Sequence, residues 1–416
     1  MISAWVSARL AARGIHYGWV MVAVTFFTAL VSSASVGAPG VFILPLEKEF
    51  GWSTTQISSA LSIRLLLFGL MAPFAAALMV RFGLRNVVMS ALTIITIGLL
   101  ASLAMTQAWH LIALWGFVVG FGTGMTAMVL GATVATRWFV AHRGLVVGIL
   151  AASVATGQLI FLPVMAYLTE AFGWRIALGT MCVMLAVAAA MVLLFLSDRP
   201  SDLGLRPVGD DGTAPVPVTP PATSIISAAF TALRDASKTR VFWILFGTFF
   251  VCGASTNGLV QTHLIPMCAD FGIPATTSAS LLAAMGIFDF VGTIASGWLS
   301  DRYSNRWLLF WYYGLRGLSL VFLPFTDFSF YGLDWIATVP PTVKLTAKHF
   351  GPERAAMVFG WVFVGHQLGS ATAAFGAGLT RTLYESYLPA FFAAGILCLI
   401  AAAVMMLRSE PKAATA

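Results

Sequence analysis

Four ionisable side chains stand inside long apolar runs of this sequence: Arg64, Asp289, Arg316 and His366. At the centre of a bilayer each costs about 2.5–3.5 kcal/mol on insertion scales, so each needs a partner or a task. A fixed guanidinium can hold a carboxylate through two parallel hydrogen bonds, which makes Arg64 the leading ligand for an anionic substrate. The competing reading of Arg64 is a structural contact to backbone carbonyls. Asp289 can gain and lose a proton, or it can be a permanently paired structural group. Arg316 reads first as the cation that neutralises Asp289 and second as a direct substrate ligand. His366 titrates near neutral pH and can bind an anion or relay a proton; the plainer alternative is a hydrogen-bonded packing residue. Asn257 and Gln261, four residues apart, share a helix face. They suit a polar cavity wall, or hydrogen bonding between helices. Asp334 and Trp335 precede Pro340 and Pro341, where a broken helix exposes backbone groups to a cavity.

The elements that must position these groups follow from composition. The chain has 416 residues, 59% hydrophobic and only 9% charged, with mean hydropathy +0.90. A soluble domain is about 25% charged, so lipid must solvate most of this surface. Apolar runs of crossing length fall at 17–45, 55–79, 85–106, 110–136, 144–168 and 175–197. A second set falls at 240–267, 276–299, 306–324, 328–347, 355–380 and 386–407. These twelve spans divide the chain into a first bundle (1–197), a polar Pro-rich linker (198–238) and a second bundle (239–416). Within the linker, Ile225–Ala236 has the apolar spacing of a short helix lying on the membrane surface. Span 10 (328–347) is compressed and reads as a broken or shortened crossing.

The formal net charge of +7 is topology information. Basic residues from Arg9 and Arg85 through Arg143, Arg240 and Arg306 to Lys412 fall on one side of an alternating map. Only Lys48, Arg175 and Arg381 fall on the other. The positive-inside rule then places both termini and the linker in the cytoplasm. No removable signal peptide is read at the start. Cys182, Cys252, Cys268 and Cys398 lack metal-ligand spacing and read as small buried apolar residues. Gly120–Gly124 lacks a preceding strand and is no nucleotide loop.

The turn between the second and third spans of each half carries a repeat. In the second half it runs Gly297-Trp-Leu-Ser-Asp301-Arg302-Tyr-Ser-Asn-Arg306; in the first it keeps Arg81, Gly83 and Arg85 but has Val80 in place of the Asp. This resembles the loop motif of the major facilitator superfamily. An Asp beside Arg residues at a helix end can latch two bundles and release as they rock; the alternative is a basic turn that only fixes topology. His16-Tyr17-Gly18-Trp19 and the stretch Trp138-Phe139 to Gly148 resemble two motifs of the monocarboxylate transporter family, and the likeness extends to bacterial oxalate–formate exchangers. The resemblance departs at Val36–Pro39, where members carry a Lys, and at Thr293, where they carry an Arg. At His366 the exchangers have a Lys.

The resemblance implies an all-α membrane protein with the twelve-helix major facilitator fold, two six-helix bundles joined by a cytoplasmic linker. The expected function is secondary active transport of a small, monocarboxylate-like organic anion across the bacterial inner membrane, coupled to protons or to anion exchange. Arg64, His366, Asn257, Gln261 and Trp335 are the expected substrate ligands. Asp289 and Arg316 are the proton-coupling or ion-pair residues, and Asp301, Arg302 and Arg306 the gate. The alternative is an efflux pump for amphipathic compounds. No nucleophile–base pair, cofactor motif or metal spacing argues for an enzyme. No nucleic-acid partner is expected, and the chain is expected to act as a monomer in the lipid bilayer.

Overall fold

The computed structural model describes residues 2–126, 128–210, 222–325, 338–350 and 352–406. Its elements are almost all helices, because lipid offers backbone groups no hydrogen bonds and a helix satisfies them internally. The first half crosses as Gly18–Phe50, Thr54–Phe82, Leu84–Ser102, Ala108–Thr126 continued by Met128–Trp138, Arg143–Phe172 and Trp174–Phe195. The second crosses as Arg240–Asp270, Ala275–Arg302, Asn305–Phe322, Val339–Phe350, Pro352–Tyr384 and Leu388–Met406. These are spans 1 to 12. Among the described residues eight helices are long and apolar enough to cross a membrane by themselves. Span 10 is described only from Thr338, and its helix opens with Pro340 and Pro341 in the first turn, where a missing N–H costs nothing. Asp334 and Trp335 lie outside the described residues.

Each half has its own apolar interior. Met21, Val88, Trp115 and Leu185 belong to the first, and Phe242, Phe249, Leu309 and Tyr313 to the second. A third cluster joins the halves at the end away from the linker, with Val41 and Ala166 against Leu259, Leu264 and Ala377.

At the linker end the chain after span 6 is not a free, solvated segment. It straps across the first half. Val208 N–H donates to the Trp138 carbonyl at 2.8 Å, and the Val208 carbonyl accepts from Val140 N–H at 2.9 Å. His16 Nε2 bonds the Arg206 carbonyl at 2.9 Å, and Tyr17 Oη donates to the Phe195 carbonyl at 2.7 Å. The two separated stretches His16–Trp19 and Trp138–Gly148 therefore meet at one strap, with Trp19 edge-on to Phe139 at 5.4 Å. The linker helix Ala222–Ala236 also departs from expectation. Its Ala232 and Ala236 enter the second half's interior. Its Phe230 stands between Phe74 of span 2 (6.3 Å) and Trp361 of span 11 (5.7 Å). Protein, rather than a membrane surface, takes part of its apolar side.

The repeated turn has a matching structural role in both halves. Arg85 Nη2 donates to the Leu193 carbonyl in the last turn of span 6. Its counterpart Arg306 donates through Nε and Nη2 to the Met405 carbonyl, at 3.0 and 2.6 Å, in the last turn of span 12. Each cation takes an orphan carbonyl at the negative end of a helix, worth about 0.3–1 kcal/mol. Arg302 lies over the Trp298 ring at 4.0 Å. Asp301 closes span 8, and its side chain is outside what the structure describes. Among the described residues Arg302 and Arg306 bond within their own half, so the expected latch between bundles is not formed by them here.

The carboxylate absent at Val80 arrives from elsewhere. Asp198, just past span 6, accepts the Arg85 backbone N–H at 2.8 Å and caps span 3 from outside. Gly83 makes room for it: its φ is 86°, and a Cβ there would lie 2.5 Å from Asp198 Oδ2. Asp198→Ala should cost about 1 kcal/mol, the usual worth of a helix N-cap. A lowered thermal unfolding midpoint in detergent checks this, and Asp198→Asn, which keeps the acceptor oxygen, should recover most of the loss.

Candidate functional site

A transport site in two packed bundles lies where they meet, so the seam comes first. Away from the linker it is closed at three places. Gly40 of span 1 lies against span 7 so closely that a Cβ would sit 2.7 Å from the Thr262 carbonyl. Thr55 of span 2 bonds Thr382 of span 11 twice, hydroxyl to hydroxyl at 2.7 Å and N–H to hydroxyl at 3.1 Å. Glu170 of span 5 caps span 8 by accepting the Thr276 N–H at 3.0 Å. The strong ion pairs at this end stay within a half: Arg175 with Glu49 at 2.6 Å and Arg381 with Asp270 at 2.9 Å. The polar part of the seal between halves is thus a few hydrogen bonds between neutral groups, beside the apolar cluster of Val41 and Ala166 with Leu259 and Leu264. Exchanging those hydrogen bonds for water costs little.

Deeper along the seam, Ser62 donates to the Ala371 carbonyl at 2.5 Å, and Gly69 lies against Gln367. Asn257 and Gln261 come from span 7, whose helix widens into a π-helical segment at Ala254–Val260. Such segments cost regular hydrogen bonding and recur at functional sites. Gln261 sits at the Gly40 contact and Asn257 about one turn deeper. Among the described residues neither side-chain amide bonds another residue, in contrast to the surrounding hydroxyls of Ser255, Thr256 and Thr262, which are returned to their own helix.

Inside the second half, spans 7, 9, 10 and 11 converge on Cys252, which is buried. Arg316 Nη1 lies 3.4 Å from its sulfur and the Thr338 hydroxyl 3.0 Å. His366 packs beside them: its ring stacks on Phe363 at 5.6 Å and lies on Phe249 at 4.8 Å. Its Nδ1 lies 3.4 Å from Gln367 Nε2, and Gln367 Oε1 is buried without a partner. The structure therefore brings Arg316 onto Cys252, a residue read from sequence only as a small apolar one, with His366 packed on Phe249 of the same span. No sequence spacing signals this, since the three residues lie on different spans.

Asp289 stands apart from the expected ion pair. Among the described residues it and Arg316 make no contact pair. The Arg316 guanidinium instead meets the Cys252 sulfur of span 7.

Arg64 is also placed differently from expectation. On span 2 it shares a helix side with Ile57, Ala60 and Leu61, which belong to the first half's interior. Ser62 and Gly69, which meet span 11, occupy the opposite side. Arg64 Nη1 donates to the Ser35 carbonyl at 2.5 Å. That carbonyl is free because its helical partner four residues on is Pro39, which has no N–H. Arg64 is thus separated from His366, Asp289 and Arg316 by the body of span 2.

Comparison with known proteins bears on the family and the fold. The family model described as Major Facilitator Superfamily matches residues 25–371. The chain is 22% identical over 384 residues to YcxA of Bacillus subtilis (strain 168), named an uncharacterized MFS-type transporter, covering 89% of this chain and 90% of that one. It is 25% identical over 403 residues to monocarboxylate transporter 13 of Bos taurus, covering 94% and 89%. A solved D-xylose–proton symporter superposes with a TM-score of 0.66 at 15% identity, over 94% of this chain and 98% of that one; this likeness speaks for the fold alone.

The seal can be tested by fixing it. In a Thr55→Cys, Thr382→Cys protein, oxidation should join the two cysteines and stop transport, and reductant should restore it. Unimpaired transport in the fully cross-linked protein would show that this end need not part.

Proposed function

The chain belongs to the Major Facilitator Superfamily, and we propose that it carries a small, monocarboxylate-like organic anion by alternating access. The observation that carries this reading is the pair of unbonded amides, Asn257 and Gln261, directly beneath a thin seal. An amide N–H in a water-poor cavity offers a carboxylate a hydrogen bond stronger than one between neutral groups. A wide aromatic chamber would suit an amphipathic compound better. The similarity to monocarboxylate transporter 13 along 94% of the chain supports the same class of substrate.

In this reading the bundles rock about the middle contact of spans 2 and 11, where Ser62 and Gly69 meet Ala371 and Gln367. The three-point seal parts on one side while the linker end closes on the other. The Arg316–Cys252–His366 cluster lies behind Asn257 and supplies positive charge to the anion. His366 and Asp289 are the groups that exchange protons, so transport is driven by proton symport or by anion exchange. The basic residues at the linker end place that end, with the strap and both termini, in the cytoplasm of a bacterium. One chain suffices for the path.

Uptake of labelled lactate, pyruvate, oxalate and formate into proteoliposomes, with and without a pH gradient, tests the proposal. At least one should accumulate, with dependence either on the gradient or on a carboxylate inside. Failure of all four, with expulsion of a lipophilic cationic dye, would favour the efflux reading instead.

A further inference from the structure

The sealed end shows what an arginine laid over an aromatic ring holds in this protein. Arg175 lies over the Trp174 ring at 4.4 Å. Its guanidinium meets both oxygens of Glu49, at 2.6 and 2.8 Å, and the Trp174 indole N–H donates to one of the same oxygens at 2.6 Å. Stacking uses the face of a guanidinium and leaves its edge of N–H donors for an oxyanion. Arg381, over the Tyr387 ring at 5.8 Å, likewise turns to the Asp270 carboxylate at 2.9 Å.

Two units of the same make stand at the linker end, one in each half. Arg9 lies over the Trp5 ring at 4.1 Å, and Arg302 over the Trp298 ring at 4.0 Å. In each pair the two residues are four apart, about one helical turn. The rings are 57% and 53% exposed, and both cations are exposed. Among the described residues neither cation meets a carboxylate and neither indole N–H has an acceptor. Arg302 Nη1 reaches only the Trp298 carbonyl, at 3.4 Å.

Their place in the fold says where an oxyanion would come from. Ile287, Val291 and Trp298 are exposed along one side of span 8, a stripe that faces lipid. Arg302 follows one turn past that stripe, where hydrocarbon gives way to headgroups. Trp5 and Arg9 belong to the helix Ile2–Ala11, whose Val6 and Leu10 pack on the first half's interior. That helix rests on span 6, whose last turns expose Leu193 and Leu194. The oxyanion available at this depth is the phosphodiester of a phospholipid. A zwitterionic lipid brings its own cation to compete with the arginine, so a lipid of net negative charge binds better.

We infer that the Trp5–Arg9 and Trp298–Arg302 units each bind the phosphate of an anionic phospholipid in the leaflet at the linker end. The ring lies against the lipid, and the guanidinium edge meets the phosphate oxygens. Neither site depends on which substrate the chain carries.

The test is the association of spin-labelled phosphatidylglycerol, relative to spin-labelled phosphatidylcholine, with the full chain in phosphatidylcholine bilayers, read by electron spin resonance. Phosphatidylglycerol should be preferred. Arg9→Gln and Arg302→Gln should each lower the preference at one site about fivefold, the worth of one basic residue near an anionic surface. Arg13→Gln removes an exposed cation from the same end of the chain that lies over no ring among the described residues, and should leave the preference close to that of the parent. A loss as large as that in Arg9→Gln would reveal a general effect of surface charge and overturn the sites. No preference in the parent, or full preference in the Arg9→Gln, Arg302→Gln double variant, would overturn them as well. If a Gln variant does not fold, Trp5→Phe and Trp298→Phe keep a ring under each cation and remove the indole N–H. They should lower the preference, and an unchanged value in both would refute the clamp. Displacement of the labelled lipid by millimolar inorganic phosphate at constant ionic strength would assign the units to a free anion and overturn the lipid assignment.

Discussion

In hydrocarbon a carbonyl or N–H without a partner costs several kcal/mol and finds no water to repair it. The architecture of this chain follows from where such groups are left and what answers them. Pro39 leaves the Ser35 carbonyl open, and Arg64 answers it. The last carbonyls of spans 6 and 12 are open because helices end, and Arg85 and Arg306 answer them. The first N–H groups of spans 3 and 8 receive Asp198 and Glu170. Buried hydroxyls such as Thr28, Thr123 and Thr248 are turned back onto carbonyls of their own helices. Against this background, the side-chain groups that stay unbonded mark places where a ligand can enter.

The fold was legible because it depends on properties a sequence carries locally. Runs of apolar residues set the spans, and the repeated turn marks the two halves. The Pro-rich linker showed where the halves divide. The site was less legible because its contacts join distant segments. For Arg64 the sequence leaves a substrate ligand and a backbone-carbonyl contact both open, and the structure has the carbonyl contact; its helix neighbours Ile57, Ala60 and Leu61 share its side and are all apolar. Attending to that face would have turned it inward. The Arg316–Cys252–His366 convergence has no such local signal. Neither has Asp198, which replaces a carboxylate missing more than a hundred residues earlier, nor the seating of Phe230 between two spans.

The two halves use one plan for different purposes. Each clamps its sixth span with the equivalent arginine, and each buries another arginine near its middle. In the first half that cation is enclosed with unbonded donors. In the second it meets the Cys252 thiol of span 7. The polar route between the bundles is therefore asymmetric, with the titratable groups of the second half beside spans 7 and 11. The first half contributes mainly surface against which those spans move.

The central claim is that the halves rock about the middle of spans 2 and 11, so the two ends of the seam open in alternation. Pulsed electron–electron distance measurements test it most directly. One spin-label pair would sit at Phe172 and Phe271 at the sealed end, and the other at Phe82 and Tyr303 at the linker end, all of them exposed. On adding a transported carboxylate or changing pH, a longer distance should grow at the sealed end as a shorter one grows at the linker end. Distances at both ends that stay fixed while uptake proceeds, or that lengthen together, would contradict the account.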